Sequence, residues 1–181
     1  MKRIAHGFAM CQSMFCAIPC PWQLWDEDAR ELMIPMLPLL GLEIGAIWAF
    51  LGWLTGFLGL PTLVRGLILG VYPYLVTGFL HLDGFMDVTD AVKSCRDLHK
   101  RREILKDSHV GSFAVIGLCL LVIAQVVLFA SVSSEKSSLI LLFIPAVSRC
   151  GSALAVTGLP AMSTSQYASQ KKHTRRLWWL G

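Results

Sequence analysis

The chain has 181 residues, 55% of them hydrophobic and 15% charged, with a mean hydropathy of +0.59. Soluble domains carry about 25% charged residues, so the composition excludes an ordinary soluble domain and points to a bilayer as solvent. The formal net charge is only +4, and the basic residues gather at 93–106 and 171–176, each beside an apolar run; that is the positive-inside pattern of a membrane protein rather than a nucleic-acid surface.

The N-terminus carries Lys2 and Arg3, but the apolar stretch 8–18 is interrupted by Gln12 and Ser13 and followed by Pro19. No cleaved signal peptide is expected there. Residues 1–33 read as an interfacial segment ending in a short helix over 22–33, with Asp26 as its cap and Trp25, Leu32 and Met33 toward lipid. About 20 apolar residues cross a bilayer, and four stretches qualify: 34–58, 62–80, 111–132 and 138–158. The expected fold is therefore all-α, a polytopic membrane bundle of about four to five transmembrane helices in one domain. Residues 83–110 form a polar connection and 159–181 a basic tail.

The connections at 59–61 and 133–137 hold one cation, Lys136, against six in 83–110. That asymmetry predicts a cytoplasmic 83–110 segment in the cell membrane. Trp22, Trp25, Trp178 and Trp179 suit interfacial anchoring, while Trp48 and Trp53 suit packing or a belt. The six cysteines, Cys11, Cys16, Cys20, Cys95, Cys119 and Cys150, include no CxxC and read as reduced thiols rather than a disulfide or zinc set.

The stretch His81-Leu82-Asp83-Gly84-Phe85-Met86-Asp87-Val88-Thr89-Asp90 closes the second apolar run. Asp83, Asp87 and Asp90 fall at i, i+4, i+7, one face of a helix. Three like charges at a membrane edge repel one another unless a cation lies between them. Mg²⁺ takes such oxygen ligands together with substrate phosphates, and Gly84 leaves room for a ligand. Acids near the positive end of a helix dipole would also suit a plain solvated helix start.

Asp107 is a fourth carboxylate just before the third span, flanked by Lys106, suited to phosphate, and Ser108, a hydrogen-bond donor; alone, the group reads as an N-cap. Between the two groups, Asp97 to Arg101 and His99 to Glu103 are i, i+4 pairs of an exposed helix. Glu43, Arg65, His81 and Arg149 lie within or at the edges of spans, where an ionisable group is a functional candidate by default. Arg149 is the best phosphate contact, since guanidinium matches phosphate in a bidentate way. Arg65 is expected to snorkel, and Glu43 to pair with one of these arginines.

These residues in this order resemble the cobalamin synthase, or adenosylcobinamide-GDP ribazoletransferase, family. Thr77-Gly78-Phe79-Leu80 followed by His81 to Asp90 is similar to the family's TGGxHLDGxxDxxDG pattern. Residues 102–113, containing Lys106-Asp107-Ser108, resemble its LEIMKDSxxGTxG. Ile18-Pro19-Cys20-Pro21, the FPLxGxxxG-like residues 37–45 and Ser148-Arg149 add weaker likeness. Ala17 and Ala91 stand where the family usually has a cation and a glycine, and the sequence ends without the family's acidic GDxxGAxxE-like element. The resemblance implies a Mg²⁺-dependent transferase joining adenosylcobinamide-GDP to α-ribazole or its 5′-phosphate with release of GMP. It implies Asp83, Asp87, Asp90 and Asp107 as metal ligands and catalytic carboxylates, with His81, Gly84, Lys106, Ser108 and Arg149 on substrate. The expected partners are those substrates and membrane lipid, without nucleic acid; a homo-oligomer is compatible with the sequence. The competing readings are a cation transporter or channel, a lipid phosphotransferase of the CDP-alcohol kind, and an inactive short family member.

Overall fold

The computed structural model describes residues 2–20, 25–132 and 138–160. Among them are seven α-helices, α1 Lys2–Phe15, α2 Met33–Phe57, α3 Thr62–Val76, α4 Leu80–Lys93, α5 Leu98–Ile104, α6 Ser112–Ser131 and α7 Ser138–Gly158, with a 3₁₀ helix Glu27–Leu32 ahead of α2. No strand occurs among the described residues, and the molecule is an all-α membrane bundle. Three helical segments are long and apolar enough to cross a bilayer, and a fourth crossing results if α3 and α4 are taken together across a 90° bend. The basic tail cluster at 171–176, Lys136, Trp22, Trp178 and Trp179 lie outside the described residues.

Two antiparallel helix pairs make the frame, and glycine sets both. A Cβ on Gly41 would run into the backbone of Pro145 and Ala146, and one on Gly45 into the Leu142 carbonyl; α2 and α7 therefore touch backbone to backbone. Gly66 does the same for α3 against Val126 and Ala130 of α6. Lipid gives helices no hydrophobic reason to associate, so close approach over small residues supplies the dispersion contact instead. Two hydrogen bonds then tie α3 to α2. Trp48 Nε1 donates to the Leu69 carbonyl at 2.9 Å and Tyr72 OH to the Ile44 carbonyl at 2.9 Å. Trp48 is 3% exposed and sits edge-on to Phe129 at 5.2 Å, so it is a packing residue, whereas Trp53 is exposed. On α6, Leu120, Ile123, Val127 and Leu128 point outward, a surface that only lipid can cover without penalty.

The second expected span, 62–80, ends early. α3 stops at Val76 because the Thr77 hydroxyl turns back to the Pro73 carbonyl at 2.9 Å and Gly78 and Phe79 both take left-handed backbone, φ 58° and 63°. Gly78 adopts this without strain, but for Phe79 it is unfavourable; the family pattern has glycine at both positions. α3 alone is about 22 Å long, and after residues 77–79 α4 departs at 90°.

The N-terminal segment is more than a surface strap. α1 packs on α2, burying Met10 and Cys11, and Ala17 N–H donates to the Val76 carbonyl at 2.7 Å. Met33, expected toward lipid, is 5% exposed because Met10 of α1 covers it along with Ala29. Asp26 does cap the 3₁₀ helix, accepting from Asp28 N–H at 3.0 Å, while its other oxygen meets His6 Nδ1 at 2.8 Å. Arg65 does not snorkel: it is 5% exposed and its Nη1 donates to the Val132 carbonyl at 2.7 Å, satisfying the C-terminal end of α6.

Gly45→Leu is expected to force α2 from α7 and to lower stability by roughly 1–3 kcal/mol, read as a fall in the thermal midpoint in detergent. Gly151→Ala, on α7 with nothing within 4 Å of its added Cβ, is expected to leave the midpoint in place. Equal losses at the two positions would contradict this packing.

Candidate functional site: the acidic helix

The acids sit on α4 because the left-handed turn at Gly78 and Phe79 redirects the chain and starts a new helix, whose first bonds run from Leu82 and Asp83 N–H to the Phe79 carbonyl. Asp83 lies in its first turn, where the helix dipole favours negative charge. Asp83, Asp87 and Asp90 follow on one face. The amphipathic α4 crosses the beginning of α6, with Thr89 and Phe85 against Gly117.

Asp90 joins the two helices. Its carboxylate accepts from Gly111 N–H at 2.5 Å and Ala114 N–H at 2.9 Å, taking up orphan donors at the N-terminus of α6. A Cβ at position 111 would collide with that carboxylate, so Gly111 is required by close approach rather than by its own backbone angles. Asp83 and Asp87 are exposed, and no described residue offers either side chain a hydrogen bond or ion pair. Partial desolvation pushes the Asp87 carboxyl above the usual carboxylate range, and Asp83 and Asp90 push it further. A cation on this face would relieve that crowding. A Cβ on Gly84 would meet nothing within 4 Å, so the face is open.

Asp107 is engaged elsewhere. Its Oδ1 accepts from His109 N–H at 3.0 Å and meets His109 Nδ1 at 2.6 Å, both side chains being exposed. Lys106 and Ser108 beside it are exposed. Among the described residues no three His, Cys, Asp or Glu side chains stand together in a metal-holding group. The structure thus brings Asp83, Asp87 and Asp90 to one face and leaves Asp107 paired with His109. Mg²⁺ is commonly held by one or two carboxylates plus substrate phosphates, so the free oxygens of Asp83 and Asp87 still fit that ion.

α5 is the exposed helix expected from its charges. His99 meets Glu103 at 3.4 Å. Asp97, expected to pair with Arg101, instead caps α5 through Lys100 N–H at 2.9 Å, since a cap oxygen satisfies an orphan donor that a surface ion pair does not.

Arg149 lies inside the bundle on α7, 5% exposed, and has no hydrogen-bond or ion-pair partner among the described residues. His81, at the start of α4, is exposed. Glu43 pairs with neither arginine: Oε1 accepts from Gln12 Nε2 at 3.3 Å and Oε2 is buried without a partner. Gln12 of α1 and the buried Cys11 thiol are members of this interior that their place in the sequence does not announce.

A helical membrane protein with an acidic helix laid across the mouth of its bundle is the class defined by this geometry. The chain matches the family described as Cobalamin-5-phosphate synthase over residues 7–181, and it belongs to that family. It is 41% identical over 154 residues to the adenosylcobinamide-GDP ribazoletransferase of Clostridium botulinum (strain Eklund 17B / Type B), covering 82% of this chain and 60% of that protein. The protein of the same name from Clostridium perfringens (strain 13 / Type A) is 39% identical over 150 residues, with the same coverage. That of Geobacillus sp. (strain WCH70) is 34% identical over 180 residues, 97% of this chain and 69% of the relative. The chain thus spans about three fifths of the clostridial relatives' length. No solved structure matches it.

The pH dependence of the Asp107–His109 pair follows from its geometry. The hydrogen bond from His109 holds Asp107 below the usual carboxylate range, and the same bond holds His109 above the usual imidazole value. The contact is complete between those two values. It is lost as pH rises through the raised His109 value or falls through the lowered Asp107 value. In an NMR titration Asp107→Asn is expected to bring the His109 midpoint down; an unmoved midpoint would contradict the pairing.

Proposed function

We propose that this chain is a Mg²⁺-dependent transferase of the cell membrane that joins adenosylcobinamide-GDP to α-ribazole or its 5′-phosphate, releasing GMP and giving adenosylcobalamin or its phosphate. The observation carrying this reading is the acidic face of α4, with Asp83 and Asp87 unpaired and Asp90 fixing the helix, within a sequence that matches relatives bearing that enzyme name over 82% or more of its length. The rival reading as a cation transporter or channel is not favoured by those matches.

In the proposed reaction the acceptor hydroxyl forms a new bond to the phosphorus that carries the cobinamide. The bond from that phosphorus to the bridging anhydride oxygen breaks, and GMP leaves with that oxygen and the electron pair. Such transfers rest on positioning and charge neutralisation. Asp83 and Asp87 hold Mg²⁺, with Asp90 and Asp107 as further carboxylates of the set. The bound ion supplies charge neutralisation at the anhydride oxygens. Lys106 adds a cation at the loop before α6, Ser108 a donor, and Gly84 space for the substrate backbone. One of the α4 carboxylates accepts the proton of the attacking hydroxyl. Arg149 and His81 bind substrate from the bundle side. The basic segment 93–106 supports a cytoplasmic position for α4 and α5.

Membranes containing the chain, given adenosylcobinamide-GDP, α-ribazole and Mg²⁺, are expected to release GMP and form a cobalamin. Asp87→Asn is expected to lower the rate at least about a hundredfold with membrane insertion unchanged. Near-normal turnover by that variant would overturn the metal assignment, and absence of turnover by the folded, inserted parent chain would overturn the reaction.

A further inference from the structure

Which way up α4 lies against the bilayer follows from where its two edges meet α6. The 20 residues of α6 make about 30 Å of helix, which matches the hydrocarbon thickness and puts the first turn at its boundary. Asp90 meets that first turn, at the Gly111 and Ala114 N–H groups. Thr89 and Phe85 meet α6 deeper: a Cβ on Gly117 would lie 2.9 Å from the Thr89 methyl and 3.7 Å from the Phe85 ring. Gly117 follows Ser112 by about 7.5 Å along the axis, within the depth of about 5–10 Å to which interfacial helices sink their apolar face. Because α4 leaves α3 at 90°, it runs along the membrane surface, with the acidic edge toward water and the Phe85 edge toward the acyl chains. At about 3.6 residues per turn, Val88 and Val92 share the Phe85 side, opposite Asp83, Asp87 and Asp90. All three apolar side chains are exposed, as is Leu98 at the start of α5. The segment 93–106 that follows holds six cations against two acids. Lys100 is held by Glu103 at 2.7 Å, but Lys93, Arg96 and Arg102 are exposed and have no ion-pair or hydrogen-bond partner among the described residues.

We propose that α4 and α5 form a docking surface for anionic lipid, with Phe85, Val88 and Val92 among the acyl chains and Lys93, Arg96 and Arg102 on the headgroup phosphates. The occupant is identified by its two layers. An apolar stripe at the depth of the first turns of α6, continued by unpaired cations, complements a surface that is apolar below and negative above. A soluble polyanion would satisfy the cations and leave the stripe in water. Docking turns the acidic face away from the lipid phosphates, which would otherwise repel it. The proposal stands independently of the reaction assigned to that face.

Hydrogen–deuterium exchange of the full chain in nanodiscs, of phosphatidylcholine alone or with phosphatidylglycerol, tests this. Adding phosphatidylglycerol at low salt is expected to slow exchange over 80–106 about tenfold, leaving α2 and α7 unchanged, and high salt to remove the effect. Unchanged exchange over 80–106, or slowing that persists in high salt, would overturn the proposal. The Arg96→Glu, Arg102→Glu double variant is expected to lose the lipid effect; the full effect in that variant would contradict it. If that variant does not insert, Arg96→Gln with Arg102→Gln decides on the same terms. Val88→Asn with Val92→Asn is expected to speed exchange of α4 in both kinds of disc, the parent rate there counting against the apolar contact. Guanosine diphosphate added to phosphatidylcholine discs is expected to leave 93–102 unchanged. Slowing that equals the lipid effect and disappears in the arginine variants would assign the cations to a soluble polyanion and overturn the docking. Absence of turnover with the lipid effect intact would sink the proposed reaction alone, and turnover without the lipid effect would sink this proposal alone.

Discussion

The carboxylate of Asp90 on the N-terminus of α6 is the contact on which the site depends. It takes two backbone N–H groups, from Gly111 and Ala114, that otherwise lack intrahelical partners. One side chain thereby ends the loop from α5, starts a membrane-crossing helix and pins α4 across it. Because Asp90 is committed there, Asp83 and Asp87 at i−7 and i−3 on the same face are turned outward with no partner among the described residues. The helix dipole of α6 favours a negative charge at this end, and the neighbours of Asp90 on α4 remain free for a cation.

The rest of the bundle is built to hold that arrangement still. α2 touches α7 through Gly41 and Gly45, and α3 touches α6 through Gly66. With backbones in contact, the ends of α3 and α6 keep a fixed spacing, and the 90° turn at Gly78 and Phe79 lays α4 into it. Phe79 in left-handed backbone stores strain at this bend, where the family pattern places glycine. Buried polar residues complete the frame from inside, Trp48 and Tyr72 between α2 and α3 and Arg65 at the far end of α6.

Much of this was legible in the residues. The apolar runs gave three crossing helices to within a residue or two at each end, because a span needs only length and hydropathy. The i, i+4, i+7 spacing gave the shared face of the three acids. What escaped were features that depend on partners distant in sequence. Asp90 looked like Asp83 and Asp87, and only Gly111, 21 residues later, distinguishes it. Met33 looked lipid-facing because α1, a 14-residue helix with Gly7, Ala9, Met10 and Cys11 buried, carries polar residues that mask its packing face. Arg65 looked like a snorkelling cation until the Val132 carbonyl, 67 positions away, came to meet it. The kink at 77–79 was present as Thr-Gly in an otherwise apolar run, a signal weaker than the hydropathy around it.

The central claim is that the outward face of α4 holds a divalent cation through Asp83 and Asp87. Mn²⁺, another hard cation with oxygen preference, makes this directly observable by electron paramagnetic resonance on the chain in nanodiscs. Saturable Mn²⁺ binding is expected in the parent chain, displaced by Mg²⁺, and abolished in the Asp83→Asn, Asp87→Asn double variant. The same Mn²⁺ signal and affinity in that double variant, with the protein correctly inserted, would contradict the claim.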